Sequence, residues 1–410
     1  MSLCFLMSKP RCVNRPQKPV VSQVKIKELR LRNYRAFSDA RLLLDEITFL
    51  VGRNGAGKST LMDAMSFMSE AVTDSLSTAL ERRGNLEGVR RWQPGKGPKY
   101  DVWIAVVLRL DASSVVYGFR LGSDATRSSY LVKHESLSGI SHWFTRDRQS
   151  ITSNRDGIRP VPDPESLVFP LIAGTSPFWK AIYEGLRSIS VHQFSPQAIR
   201  SEPKIGSEER LNRDGRNAGD VLKHTRPKDR DWIEEHLKAA IPGIRGVRAT
   251  ARVGRRVIVF EQEGGNGQTC HFDASTMSDG TVRSLGILLS LRQTPRPSIV
   301  LLDEIEDSLH PDAHGVLLDA INSASDEFPV VISTHNTEIL SHPTAMGKRI
   351  RIVQWDEGTS QIYHMSSQVL ANLKPPQTVG RLLRSNALWT QALPSTTGAE
   401  ADFFKADLLP

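Results

Sequence analysis

Cysteine is scarce in this sequence. Cys4, Cys12 and Cys270 are the only three in 410 residues. They are too scattered for a zinc site or a disulfide framework, and they suit the reducing cytoplasm. Apolar runs of membrane-spanning length are also missing. The opening M-S-L-C-F-L-M is too short for the apolar part of a signal peptide, and Met7 is an alternative start. No heptad pattern is sustained between residues 110 and 270, which argues against a long coiled-coil arm. There is no internal repeat and no low-complexity segment.

What remains is a chain able to build a large core, with 39% hydrophobic residues. Its 410 residues exceed the usual single-domain range, so one elaborated domain or two lobes is expected. The net charge of +8 permits a nucleic-acid partner without identifying one. Residues 1–22 form a basic, proline-broken arm with Lys9, Arg11, Arg15 and Lys18, expected to be disordered. A solvated tail is the plainer reading of that arm than a nucleic-acid contact.

The stretch that organises the rest is Val51–Thr60, V-G-R-N-G-A-G-K-S-T. The apolar run from Ile47 reads as a buried strand before it. L-M-D-A-M-S-F-M reads as a helix after it. That is the strand–loop–helix setting of the phosphate-binding pattern G-x-x-x-x-G-K-[ST]. Gly52, Gly55 and Gly57 let backbone N–H groups approach phosphate oxygens, Asn54 and Thr60 belong to the same cradle, and the helix N-terminus adds its own dipole. Lys58 supplies a mobile positive charge, and Ser59 offers a hydroxyl to Mg²⁺. Before this loop, V-K-I-K-E-L-R-L alternates as a strand with one solvated face, followed by the turn R-N-Y-R-A-F. Arg35 in that turn is a candidate contact to base or phosphate, with a plain surface arginine as the equal alternative.

Further along, Tyr100–Leu110 and Val115–Leu121 predict a hairpin, and residues 122–165 read as irregular surface with short strands. Pro170–Leu186 predicts a helix with Trp179, Ile182, Tyr183 and Leu186 on one face. Ser188–Phe194 predicts a strand. Residues 199–230 mix both charges densely, which fits a solvated face better than a DNA track. Asp231–Ile241 predicts an amphipathic helix, Val247–Glu263 two strands, and Gly380–Leu393 a short helix.

Ser298–Glu304, S-I-V-L-L-D-E, is an apolar strand ending in two acids. Asp303 suits a Mg²⁺ shell, because Mg²⁺ prefers hard oxygens. Glu304 suits a base for an attacking water. Val330–Thr334 is another apolar strand, followed by His335. Ser278-Asp279-Gly280-Thr281 caps a helix carrying Val282, Leu285, Ile287, Leu288 and Leu291.

In this order, the P-loop, the S-D-G-T cap, the L-L-D-E strand and the S-T-H strand resemble the ABC-type ATPase superfamily. The likeness is to its soluble branch, with structural-maintenance-of-chromosomes and recombination-mediator ATPases. Glu304-Ile305-Glu306-Asp307-Ser308-Leu309-His310-Pro311 is similar to predicted AAA-family ATPases close to the overcoming-lysogenization-defect proteins, as is Leu211–Asn217, L-N-R-D-G-R-N. The resemblance implies a P-loop ABC-type α/β head with an antiparallel β lobe and an inserted α/β lobe. It implies Mg²⁺ and ATP sandwiched in a homodimer, with Ser278 and Gly280 reaching the γ-phosphate from the second subunit. Asp303 would then serve Mg²⁺, Glu304 would activate water, and His335 would sense the γ-phosphate. Gln193, with Gln93 second, is the choice for the glutamine between lobes. The S-D-G-T signature and His310 speak against a transporter subunit, and too few acids follow His335 for a fused nuclease.

The expected division is the arm at 1–22, an N-terminal ATPase lobe at 23–120, an inserted lobe at 121–265, a C-terminal ATPase lobe at 266–352 and an extension at 353–410. The expected function is an ATP hydrolase that switches a separate effector, such as a nuclease, in anti-phage defence. A DNA-repair or chromosome ATPase clamping DNA is the alternative, followed by a nucleotide-binding scaffold. A higher oligomer stays open, and no membrane partner is expected.

Overall fold

In the computed structural model, residues 24–92, 100–123, 130–148, 150–154, 163–206, 210–345, 349–365, 378–384, 392–394 and 403–404 are described. The basic arm and Gln93 lie outside them. Three sheets and eleven α-helices of the described residues carry the architecture. The first sheet is antiparallel, in the order β2 (Phe37–Leu43), β1 (Lys25–Tyr34), β4 (Val102–Leu110), β5 (Ser113–Ser123), β6 (Tyr130–Gly139), β7 (Phe144–Asp147), β8 (Ser150–Ser153). A smaller antiparallel sheet holds β10 (Ile244–Arg252), β11 (Arg255–Glu263) and β12 (Thr269–Asp273).

The third sheet runs β17 (Ala392–Pro394), β16 (Thr359–Met365), β15 (Ile350–Asp356), β3 (Ile47–Val51), β14 (Val330–Thr334), β13 (Ile299–Leu302), β9 (Ile189–His192). Strands β15, β3, β14, β13 and β9 are mutually parallel. Their sequences are nearly continuous apolar runs, as strands covered on both faces require. On one face lie α1 (Lys58–Thr73), α2 (Leu76–Glu81), α3 (Asn85–Val89), α4 (Phe169–Ile172) and α5 (Pro177–Arg187), forming one core with the first sheet. The second core joins the other face to α6 (Pro196–Arg200), α7 (Ala218–His224), α8 (Pro227–Ala240), α9 (Asp279–Arg292) and α10 (Pro311–Ser325). The predicted stripe on α5 buries Trp179, Ile182 and Leu186 completely. Each such side chain contributes about 1.5–3 kcal/mol.

Among the described residues of 122–165, expected as irregular surface with short strands, the short strands β7 and β8 are found and β6 is the departure. β6 is ten residues long and sits inside the first sheet, between β5 and β7. Its pattern misleads because it buries an acid. Glu135 is fully buried and accepts hydrogen bonds from Tyr117 Oη at 3.0 Å and from the Val168 and Phe169 amides at 2.6 and 2.9 Å. Burial raises its pKa against those donors. The predicted helix from Pro170 is two pieces, α4 and α5, joined by a 3₁₀ turn at Ala173–Thr175. The C-terminal helix spans only Val379–Arg384, and residues 392–394 pair with β16 instead of continuing it. The divisions expected at 120/121 and 352/353 fall inside β5 and β15.

Trp103 on the first sheet lies between the Arg32 and Arg120 guanidinium groups, 5.3 and 4.7 Å from its ring. Phe403 meets it edge-on at 5.4 Å and Phe404 stacks on it at 5.3 Å. Arg30 Nη1 donates to the Phe403 carbonyl at 2.9 Å, so residues near the end of the chain are tied to the first strand. Among the described residues, no helix is long and apolar enough to cross a membrane.

Candidate nucleotide site

β3 delivers the loop Gly52–Gly57 to the carboxyl edge of the parallel sheet, and α1 leaves it. Two glycines are required by geometry. A Cβ on Gly52 would lie 2.3 Å from the Val353 carbonyl oxygen of β15. Gly57, with φ 112°, caps α1 in a conformation that L side chains avoid, and its Cβ would lie 2.7 Å from Ser360 Oγ. The loop is therefore wedged between α1 and the β15–β16 hairpin. Lys58 is buried and donates to the carbonyls of Gly52 (2.8 Å) and Arg53 (3.2 Å). Burial lowers its pKa, while Asp303, Glu304 and Glu306 act to raise it. Ser59 is exposed at the first turn of α1, beside half-buried Thr60.

The acids arrive on β13, two strands from β3 on the same edge. Asp303 is buried, and its Oδ1 accepts a hydrogen bond from the Ser333 hydroxyl at the end of β14. The same Ser333 oxygen accepts the Glu304 amide at 2.9 Å. Asp303 Oδ2 is buried without a hydrogen-bond partner among the described residues. Glu304 sits at φ 50°, a strained setting for a non-glycine residue. Its pKa is raised, chiefly by burial, then by the charges of Asp307, Asp303 and Glu306, with His335 opposing. His335 is half exposed, and Glu306 Oε1 holds both its amide (2.8 Å) and its Nδ1 (3.0 Å). Gln193 directly follows β9. His192 pairs with Leu302, which puts Gln193 next to Asp303 along the edge, and its amide donates to the Arg213 carbonyl at 2.8 Å.

The other expected residues lie elsewhere. Ser278 caps α9 by accepting the Thr281 amide at 3.2 Å. Gly280 lies against the loop after Glu304, where its Cβ would be 2.7 Å from the Ser308 carbonyl oxygen. Arg200 steadies this turn through the Met277 carbonyl (2.7 Å) and Asp279 (2.5 Å). Arg35 is committed to α1: it pairs with Asp63 at 2.9 Å and donates to the Gly88 carbonyl at 3.0 Å. These contacts brace the helix.

Three residues escaped the sequence reading. Ser333 and Glu306 fix Asp303, Glu304 and His335, as just described. Arg283, buried on α9, donates to the Glu304 carbonyl at 2.7 Å. Ser333, next to the recognised Thr-His end of a strand, and Glu306, inside the recognised Glu304–Pro311 segment, had a local signal; Arg283 had none.

A family model described as AAA domain, putative AbiEii toxin, Type IV TA system matches residues 47–341. The chain belongs to this AAA-domain family. A second AAA-domain model matches residues 24–69, across the first strands and the P-loop. No curated protein matches the sequence. Among solved structures, the AAA-domain chain is similar to a Smc head domain with an extended coiled coil, bound to the C-terminal domain of ScpA, derived from Pyrococcus furiosus. That match has a TM-score of 0.54 and 13% identity, and covers 85% of this chain and 98% of the other. An SmcHead bound to the C-winged helix domain of ScpA matches with a TM-score of 0.53 and 14% identity, covering 84% and 99%. At such identities the likeness establishes the fold: a mixed α/β head of the SMC-type P-loop class, with no long coiled coil among the described residues.

Among the described residues, no group of three or more His, Cys, Asp or Glu is placed to hold a metal by itself. Mg²⁺ needs less from a protein, since it keeps waters and takes phosphate oxygens. The unpartnered Asp303 Oδ2 and the Ser59 hydroxyl are the hard oxygens that fit it.

Proposed function

We propose that this chain is an ATP hydrolase whose nucleotide-bound form is a dimer, and that it acts as a switch for a separate effector. The observation that carries the reading is the shared sheet edge: the Gly52–Gly57 loop on β3 and the acids Asp303 and Glu304 on β13, with Ser333 of the intervening β14 tying the acids down. The loop amides and the α1 N-terminus hold the phosphates, and Lys58 turns from the loop carbonyls to the terminal phosphates. Mg²⁺, held by Ser59 and Asp303, would neutralise charge developing on the β- and γ-oxygens. Glu304, with its pKa raised by burial and by the neighbouring acids, orients the attacking water and accepts its proton. His335, aimed by Glu306, senses the γ-phosphate, and Gln193 at the neighbouring strand end reports its position.

Ser278 and Gly280 act on the γ-phosphate of a second protomer. The seat of Gly280 against the loop at Ser308 supports this role, because that loop begins at Glu304 and so couples closure of the dimer to the base. The family's description as a toxin–antitoxin component fits a chain that works with another protein, in anti-phage defence or a related conflict.

Glu304→Gln tests the reading. Phosphate release should fall by about a hundredfold or more, the usual share of a general base. The variant should still bind ATP, run as a dimer with Mg-ATP, and retain the effector when purified from its host. An unchanged rate, or a monomer in saturating ATP, would refute the proposal. Salt-sensitive recovery of DNA in place of a protein would move the function to a DNA clamp, since phosphate contacts weaken steeply with salt.

A further inference from the structure

On the β15 side of the P-loop, away from the acids, lies a cavity of about 440 Å³. Arg53, Asn54, Gly55 and Ala56 line one wall, and Val353, Gln354 and Trp355 the other. Trp355 is 54% exposed, an unusual state for the largest side chain on a strand whose first four residues are buried. The strand cannot drift from the loop. The Val353 carbonyl fills the place of a Cβ on Gly52, and Ser360, which pairs with Trp355 across the hairpin, fills that of a Cβ on Gly57. Trp355 is thus held beside the phosphate cradle by two close approaches, the Val353 backbone against Gly52 and the Ser360 side chain against Gly57.

The order of strands then sets a direction. β13 and its acids lie two strands to one side of β3, and β15 is the neighbour on the other side. A nucleoside triphosphate whose terminal phosphate faces Asp303 and Glu304 must extend its nucleoside away from them, toward β15. We infer that Trp355 is the stacking platform for the nucleobase, and that the cavity between it and residues 53–56 is the base subsite. This inference rests on the reading of residues 52–60 as the triphosphate cradle. Stacking needs only a π-face, so the platform supplies affinity for the nucleoside half of the ligand, while the loop supplies affinity for its phosphates.

The test separates those halves by titrating Mg-ADP and Mg-pyrophosphate into wild type, Trp355→Ala and Trp355→Phe. Wild type should bind ADP more tightly than pyrophosphate. Trp355→Ala should weaken ADP by roughly tenfold to a hundredfold, the scale of one base–aromatic stack, and leave pyrophosphate unchanged. Trp355→Phe should restore most of the loss. Equal weakening of both ligands would make Trp355 a structural residue and overturn the inference, as would an unchanged ADP affinity. Lys58→Ala distinguishes the two levels. If it abolishes both ligands while Trp355→Ala alters neither, the base platform fails and the phosphate cradle stands. If wild type binds neither ligand, both fall.

Discussion

Ser333 uses one hydroxyl twice, donating to Asp303 Oδ1 and accepting from the Glu304 amide at 2.9 Å. Ser333→Ala would leave a buried carboxylate oxygen and a backbone N–H without partners. Each such loss costs about 1–3 kcal/mol. The urea midpoint should drop accordingly, and ATP turnover should drop further than the folded fraction does, because both acids lose their anchor. One strand over, His192 is buried and its pKa is lowered to about 4, mainly by loss of hydration. The Asp303 amide donates to its carbonyl at 2.9 Å. An unfolded histidine takes its proton near pH 6.5 and the folded one does not until about 4, so stability is whole above 6.5 and is lost as pH falls through that window. The loss attributable to this residue is about 3 kcal/mol. Urea titrations at pH 7 and pH 4.5 should show it, and His192→Gln should flatten the dependence. The sequence made Lys58, Ser59, Asp303 and Glu304 legible because phosphate and Mg²⁺ chemistry demands those side chains at fixed spacing. Ser333, Glu306 and Arg283 were not legible, because their meaning lies in which strand end or helix they face.

Among the elements, β15 is both a wall of the sheet and a stop for the P-loop. Gly52→Ala would set a Cβ 2.3 Å from the Val353 carbonyl oxygen. One of the two must move, at a cost of about 1–3 kcal/mol for an overpacked site. Mg-ADP affinity should fall at least tenfold, since the amides that cradle phosphate move with the loop, and calorimetry would register it. A variant with unchanged affinity would show that the loop has slack that the close approach denies. Strands with clean alternation, such as β1, or unbroken apolar runs, such as β3 and β13, were legible from period and composition. β6 was not, because Glu135 and Ser136 occupy buried positions where the pattern calls for apolar residues. The partners of Glu135, Tyr117 and the start of α4, are supplied by other parts of the chain. The strand at Ala392–Pro394 was hidden for a similar reason: proline is tolerated at a sheet margin, and only the fold puts that margin beside Tyr363.

For the molecule as a whole, closure of the first sheet depends on residues far away in sequence. Phe403 is buried against Trp103, with its carbonyl held by Arg30. Phe403→Ala should cost about 3 kcal/mol, near the lower figure for deleting a buried phenyl group, and should shift tryptophan emission to the red as Trp103 meets water. Denaturant titration followed by fluorescence reads both. The charge of the molecule was readable as a number and not as a surface. In the mixed-charge stretch 199–230, which was weighed as a nucleic-acid track, several arginines are paired: Arg200 with Asp279, Arg216 with Asp214, Arg226 with Asp229. The chain order of the parallel sheet has a consequence for how the protein is made. β3 ends at residue 51, yet its neighbours β14 and β15 begin at 330 and 350. A ribosome adding ~5–20 residues per second takes about 15–60 s to cover that gap. Throughout it the phosphate cradle has no floor, and nucleotide in the cell finds nothing to bind. Until β14 and β15 emerge, the apolar residues of β3 lack the neighbours that cover them in the finished sheet.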